Sequence, residues 1–224
     1  MFMHLPGTPI KDSALAKLPF EKVRKSHGSN IIMVLILSEK IDMIRDLYAE
    51  QLQLVALRSG YPIEVVTSAT VFKKRIADNP KAVFCFDESL SLKANRGYIP
   101  YLKTYASNGG RVIFCGQYSN FSRPFDFVRP FVEFKKNWKQ GKYARETHQV
   151  NQAFRESPPY LLMPTYNCKS TTLKNLLKNE WIYGSEKESP AVFSPYVQGY
   201  IGYVGEVNTE EETTLLLLYM VTKE

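Results

Sequence analysis

A chain of 224 residues with 44% hydrophobic and 23% charged content has the makeup of an ordinary globular protein, long enough for one large domain with an extension. Its three cysteines, Cys85, Cys115 and Cys168, are odd in number and lack metal-site or CxxC spacing, which argues against a disulfide framework and fits a reducing compartment. The net charge of +7 is concentrated, because residues 1–29 contribute +3 and residues 123–145 contribute +5, leaving −1 for the remainder.

Residues 1–29 show no sustained period and read as an N-terminal extension, with a short helix near 13–18, ahead of an α/β domain over 30–224. The start lacks the charged n-region and long apolar core of a signal peptide. The longest apolar runs, 31–37 and 215–220, are too short to cross a bilayer. Cytoplasm is the expected location, with the nucleus also open.

The run 31–37 is apolar throughout and predicts a strand buried on both faces. Ser38, Glu39 and Lys40 make a turn, and Ile41, Ile44, Leu47, Tyr48, Leu52 and Val55 then recur at helical spacing up to Ser59 and Gly60. A strand over 61–66, a small helix over 70–77 and a strand over 82–86 follow. The next helix, centred on 99–106, carries Pro100 in its first turn, where a missing amide costs little. It ends at Asn108, Gly109 and Gly110 and delivers a strand over 112–115. Strands alternating with helices at this rhythm imply right-handed crossovers and a mostly parallel, flavodoxin-like α/β sheet with helices on both faces.

After Phe121 the rhythm changes. A helix is predicted over 124–134, a loop over 138–143 and a strand over 143–150. The segment 158–194 reads as an irregular excursion over the sheet edge, with 171–178 its one helical stretch. A glycine-punctuated strand over 199–205 and a terminal helix over 213–221 complete the chain.

Three segments carry a family likeness: 105–114 with its Asn108-Gly109-Gly110 turn, 116–124 beginning Gly116-Gln117-Tyr118-Ser119, and 199–208. Together they resemble the class I glutamine-amidotransferase-like domains, in the variety common among fungal proteins. The resemblance implies a flavodoxin-like fold from about residue 31 to the end. Members with glutaminase activity carry a Gly-x-Cys-x-Gly nucleophile turn and a late His-x-Glu pair. Here Gly116 follows Cys115, the nucleophile's place falls to Tyr118, and the only histidines are His4, His27 and His148. A thiol needs a base or a positive neighbour to ionise near neutral pH. The expected function is therefore a ligand- or protein-binding module without glutaminase chemistry.

Ligands of open α/β sheets bind beyond the carboxyl ends of the strands. The residues that a parallel sheet would bring there are Glu39, Asp87, Glu88, Ser89, Cys115, Gly116, Gln117, Tyr118 and Ser119. Two readings of Cys115 stand side by side. It is either the nucleophile of a thiol-dependent hydrolase, tuned by Glu39 and assisted by His148, or a small core residue with Glu39 and Asp87 as helix caps. A third possibility rests on the aromatic and basic stretch 121–145. There Lys135, Lys136, Trp138 and Lys139 are candidates for a single-stranded nucleic acid, against core packing with a basic rim. No Walker loop, GxGxxG or GxSxG is present, and neither metal nor cofactor is expected. A small ligand or a protein is the expected partner, a second copy of the chain remains open, and nucleic acid is the least favoured.

Overall fold

The computed structural model describes residues 30–154 and 161–223. The extension expected over 1–29, with its helix near 13–18, and the first residues of the excursion, 158–160, lie outside the described residues. From the amino end, β1 (Ile32–Leu35) leads into α1 (Ile41–Ser59), which Gly60 closes in the left-handed region at φ 72°. β2 (Ile63–Val66), α2 (Ala69–Ala77), β3 (Ala82–Cys85), α3 (Ile99–Ser107) and β4 (Arg111–Phe114) continue the alternation. The Ser68 hydroxyl caps α2, and a proline stands at the start of α3. Three short helices follow, α4 (Tyr118–Phe121), α5 (Pro124–Phe127) and α6 (Arg129–Glu133). Then come β5 (Lys139–Gln149), β6 (Thr165–Lys174), β7 (Trp181–Tyr183), β8 (Ala191–Tyr196), β9 (Gly199–Val204) and α7 (Glu211–Thr222).

The main sheet has seven strands in the order β2-β1-β3-β4-β9-β8-β7. The first five are parallel, which is the flavodoxin-like arrangement, and β8 and β7 extend it antiparallel. Alternate residues of each central strand supply two cores. Ile32, Val34 and Ile36 pack with Ile44, Tyr48 and Leu52 of α1 and Leu216 and Met220 of α7. Met33 and Leu35 face the other way, onto Phe72 of α2, Leu102 of α3 and the rings of α5 and α6. The helices thus cover both faces, as the continuous apolar strands require.

The second half departs from the sequence reading. The helix expected over 124–134 is two short helices, because Pro130 has no amide to donate back to the Asp126 carbonyl and so stands in the first turn of a new helix. Residues 139–143, expected as loop, open β5, and residues 171–174, expected as helix, end β6. The irregular excursion is instead β6, β7 and β8. Inward positions of these strands are held by Ser170, Thr171, Thr172 and Ser194, small polar residues that leave no hydrophobic period to read. β5 and β6 form a separate antiparallel ribbon.

Candidate functional site

Parallel pairing brings the loops after β1, β3, β4 and β9 to one edge of the sheet. At its β1–β3 half, Asp87 accepts hydrogen bonds from the amides of Leu37 and Ser38, each at 2.7 Å, and from the Ser89 amide at 3.1 Å. Burial pushes its carboxyl up, and those amides pull it part of the way back. Asp87 is thereby committed to holding two loops together. Glu88, also buried, pairs with the Lys40 ammonium, which stands 4.6 Å from the centre of the Phe121 ring. The second carboxylate oxygen of Glu88 is buried without a hydrogen-bond partner among the described residues. Ser89 is buried, and its carbonyl accepts from the Asn95 amide at 3.0 Å. Glu39, the sequence candidate on this loop, is exposed.

At the β4 end the backbone turns sharply, with Gly116 at φ 62°. A side chain there would meet Phe86 at 2.8 Å, so both the conformation and the close approach call for glycine. Cys115 is 1% exposed and joins the core of α1 and α7, its thiol 3.7 Å from the Ile113 carbonyl. Burial pushes that thiol well above its ordinary value, and among the described residues the one histidine, His148, is on β5. Gln117 is spent internally: its amide donates to the Tyr48 hydroxyl at 2.9 Å and the Val207 carbonyl at 3.2 Å, while its oxygen accepts from Asn120 at 2.7 Å. Tyr118, in the nucleophile's place, is fully buried and donates to the Phe127 carbonyl. Ser119 donates to the Gly205 carbonyl at 3.2 Å.

The crevice beyond β4 and β9 is occupied by β6. The Thr171 amide donates to the Gly205 carbonyl at 3.1 Å, and the Tyr203 hydroxyl donates to the Thr171 carbonyl at 2.6 Å. At Gly205 a side-chain carbon would stand 2.0 Å from that carbonyl, so the contact is backbone on backbone. His148 lies elsewhere, on β5 beside Gly184, with burial pushing its imidazole down. Gly184 directly follows β7, which β9 and β8 separate from β4 by three strand spacings, about 14 Å. The structure therefore brings Asp87, Glu88, Ser89, Gln117, Tyr118 and Ser119 to one edge. Cys115, Glu39 and His148 do not share a pocket.

The basic, aromatic stretch divides in two. Phe127, Phe131, Phe134 and Trp138 pack around Phe114 and Tyr203, with ring centres 5.1 Å apart for Phe114 and Phe131 and 5.8 Å for Phe131 and Tyr203. Trp138 donates to Glu180 at 3.0 Å, and Lys136 reaches the same carboxylate at 3.2 Å. Lys135 and Lys139 are exposed. Sequence reasoning missed Lys40, Tyr48, Glu180 and Glu206 as polar participants. Tyr48 reads only as a helical core position, and Glu180 sits in a segment expected to be irregular.

Among the described residues, no helix is long and apolar enough to cross a membrane, and no three His, Cys, Asp or Glu side chains cluster as a metal site. The molecule is thus a flavodoxin-like α/β protein whose carboxyl edge is largely filled by its own side chains and by β6. No family model matches the sequence, and no curated protein matches it. Solved structures do. A ThuA-like protein from Bacteroides uniformis ATCC 8492 superposes with a TM-score of 0.53 at 13% identity, over 91% of this chain and 96% of that one. A cytoplasmic protein from Salmonella typhimurium LT2 gives 0.51 at 11% identity, over 86% and 95%. A β-galactosidase from Bacillus circulans sp. alkalophilus gives 0.55 at 11% identity, but only 31% of that chain is spanned. At such identities the likeness is one of fold.

Proposed function

We propose that the protein is a binding module built on the class I glutamine-amidotransferase-like version of this fold, without glutaminase chemistry. The observation that carries the reading is the environment of the β4 turn. Tyr118 stands where a nucleophile would be, with its hydroxyl engaged by the Phe127 carbonyl, and the adjacent Cys115 is sealed in the core. Acyl transfer needs an ionisable nucleophile, a base within hydrogen-bond reach and amide donors facing a developing oxyanion. Burial raises the Cys115 thiol where a nucleophile needs it lowered, and the one described histidine lies across the sheet.

The surface left for a ligand is the β1–β3 half of the edge, where Lys40, Phe121 and the half-satisfied Glu88 carboxylate meet. Incubation of the purified protein with glutamine should release no ammonia above a protein-free blank. Glutamine turnover that Cys115→Ala abolishes would overturn the reading.

A further inference from the structure

Among the described residues β5 pairs with one strand, β6, and its other edge points to a specific occupant. In β6, the Lys169 carbonyl accepts from Val207, the Thr171 amide donates to Gly205, and Leu173 exchanges bonds with Ser189, all on the side away from β5. Hydrogen-bonding direction alternates along a strand, so Tyr166, Cys168 and Ser170 face β5 and bond to His148, Glu146 and Ala144. Tyr143, Arg145 and Thr147 consequently direct their N–H and C=O groups outward. At the end of the strand the same parity shows as the Gln149 carbonyl accepting from Gly184 at 2.9 Å. None of the described residues bonds the outward backbone groups of Tyr143, Arg145 or Thr147. The register with β6 shifts between Gln140 and Tyr143, so the regular edge runs over residues 143–149, with Tyr143 51% exposed at its start, and an open edge invites a further strand.

We infer that the occupant is β5 of a second copy of this chain, paired antiparallel about a two-fold axis at Ala144. An isologous contact must be self-complementary. In this register Tyr143 and Arg145 form hydrogen-bonded pairs with Arg145 and Tyr143 of the other copy, both sets of groups already pointing outward. The same register places Lys142 opposite Glu146 of the other copy and Arg145 beside a tyrosine ring. A shift of one ladder step in one direction stacks Arg145 on its own copy. The opposite shift runs Arg145 and Glu146 into the irregular stretch between Gln140 and Tyr143, losing the charge match. Lys142 now pairs with Glu146 and Glu188 of its own chain, and Arg145 with Glu210; these are exposed pairs of little worth, free to exchange partners. Lys169 stands 5.4 Å from the Tyr143 ring centre, so that ring already accepts a cation. The inference does not depend on the proposed function.

Light scattering or sedimentation across a concentration series should show a mass rising from 25.7 kDa to twice that value. Lys142→Glu and Glu146→Lys each place like charges opposite one another, and each alone should weaken self-association about tenfold or more. Mixed in equal amounts, they should associate with each other, because every facing pair is then complementary. Both variants break the same internal ion pair, so circular dichroism of each separates unfolding from lost association. Ala144 on the axis faces its own copy as a non-hydrogen-bonded pair, with α-carbons about 4.5 Å apart. That separation suits a disulfide. Ala144→Cys should therefore cross-link on mild oxidation faster than Thr147→Cys, the three native cysteines being buried. A monomer at every concentration overturns the inference. So does an association that survives both charge reversals, or a mixture that fails to associate.

Discussion

Glu180 shows how one buried carboxylate is kept charged. Its oxygens accept from the Leu177 amide at 2.9 Å, Trp138 at 3.0 Å, Ser194 at 2.8 Å and Lys136 at 3.2 Å. Burial alone would push its pKa up, but the Leu177, Trp138 and Ser194 hydrogen bonds and the Lys136 charge together bring it below the ordinary 4.5. A depressed folded value means the unfolded chain binds the proton more readily. The contribution is therefore complete above pH 4.5 and is lost as pH falls through the folded value. Glu180→Ala, which leaves a buried indole and ammonium unpartnered, should destabilise the protein by about 3 kcal/mol in urea denaturation at pH 7. Glu180→Gln should lose less at pH 7 and flatten the acid limb of stability against pH. Glu206 has the opposite sign. Burial holds its carboxyl above 4.5, so it weakens the fold as pH rises from that value through the folded one. Cys115 makes a third residue-scale case. Its thiol should resist iodoacetamide in the folded protein and react once urea unfolds it, and Cys115→Ala should cost roughly 1–2 kcal/mol in stability. Rapid alkylation of the native thiol would show an access path that its burial does not offer.

Elements differ in how plainly the sequence announces them, and the reason is what they bury. β1, β3 and β4 are buried on both faces, so Ile32–Leu35 and its neighbours read as unbroken apolar runs. α1 declares itself by Ile44, Tyr48, Leu52 and Val55 at helical spacing and by Gly60 at its end. β6 hides because its inward residues include Cys168, Ser170, Thr171 and Thr172, small or polar side chains that leave no apolar period to read. The candidate site follows the same division. Asp87 was legible as a cap, since a carboxylate between a strand and a turn has few other duties. The closure of the β4–β9 crevice was not legible, because it rests on Gly205 lying against the Thr171 carbonyl, two residues in segments with no shared pattern. That contact can be tested directly. Gly205→Ala would put a carbon 2.0 Å from the carbonyl, so β6 must move. The substitution should cost roughly 2–3 kcal/mol, and amide exchange should quicken in β6 while β1 and β3 stay protected. Uniform protection in the variant would show that β6 is not held by this contact.

At the scale of the whole molecule, an excess of positive charge is not the same as a binding face. Residues 123–145 carry seven cations, but folding distributes them. Arg129 pairs with Asp126 and donates to the Ser91 carbonyl, Lys136 is held by Glu180, Lys142 by Glu146 and Glu188, and Arg145 by Glu210. Among the described residues, only Arg123, Lys135 and Lys139 of this stretch lack an ion pair, and they precede α5, follow α6 and open β5 respectively. Of the aromatic side chains that could stack bases, Phe127, Phe131, Phe134 and Trp138 are in the core, which leaves Phe125 and Tyr143 exposed. Each phosphate neutralised on a single strand contributes about −0.7 to the slope of log affinity against log salt. Seven free cations would give a slope near −5, whereas three give about −2. Fluorescence polarisation of a labelled single-stranded oligonucleotide, titrated at several salt concentrations, should thus find weak binding with a slope no steeper than about −2. A slope near −5 would mean that nucleic acid displaces the internal carboxylates. In that event Glu180→Gln and Glu188→Gln should tighten binding further by freeing the lysines they now hold.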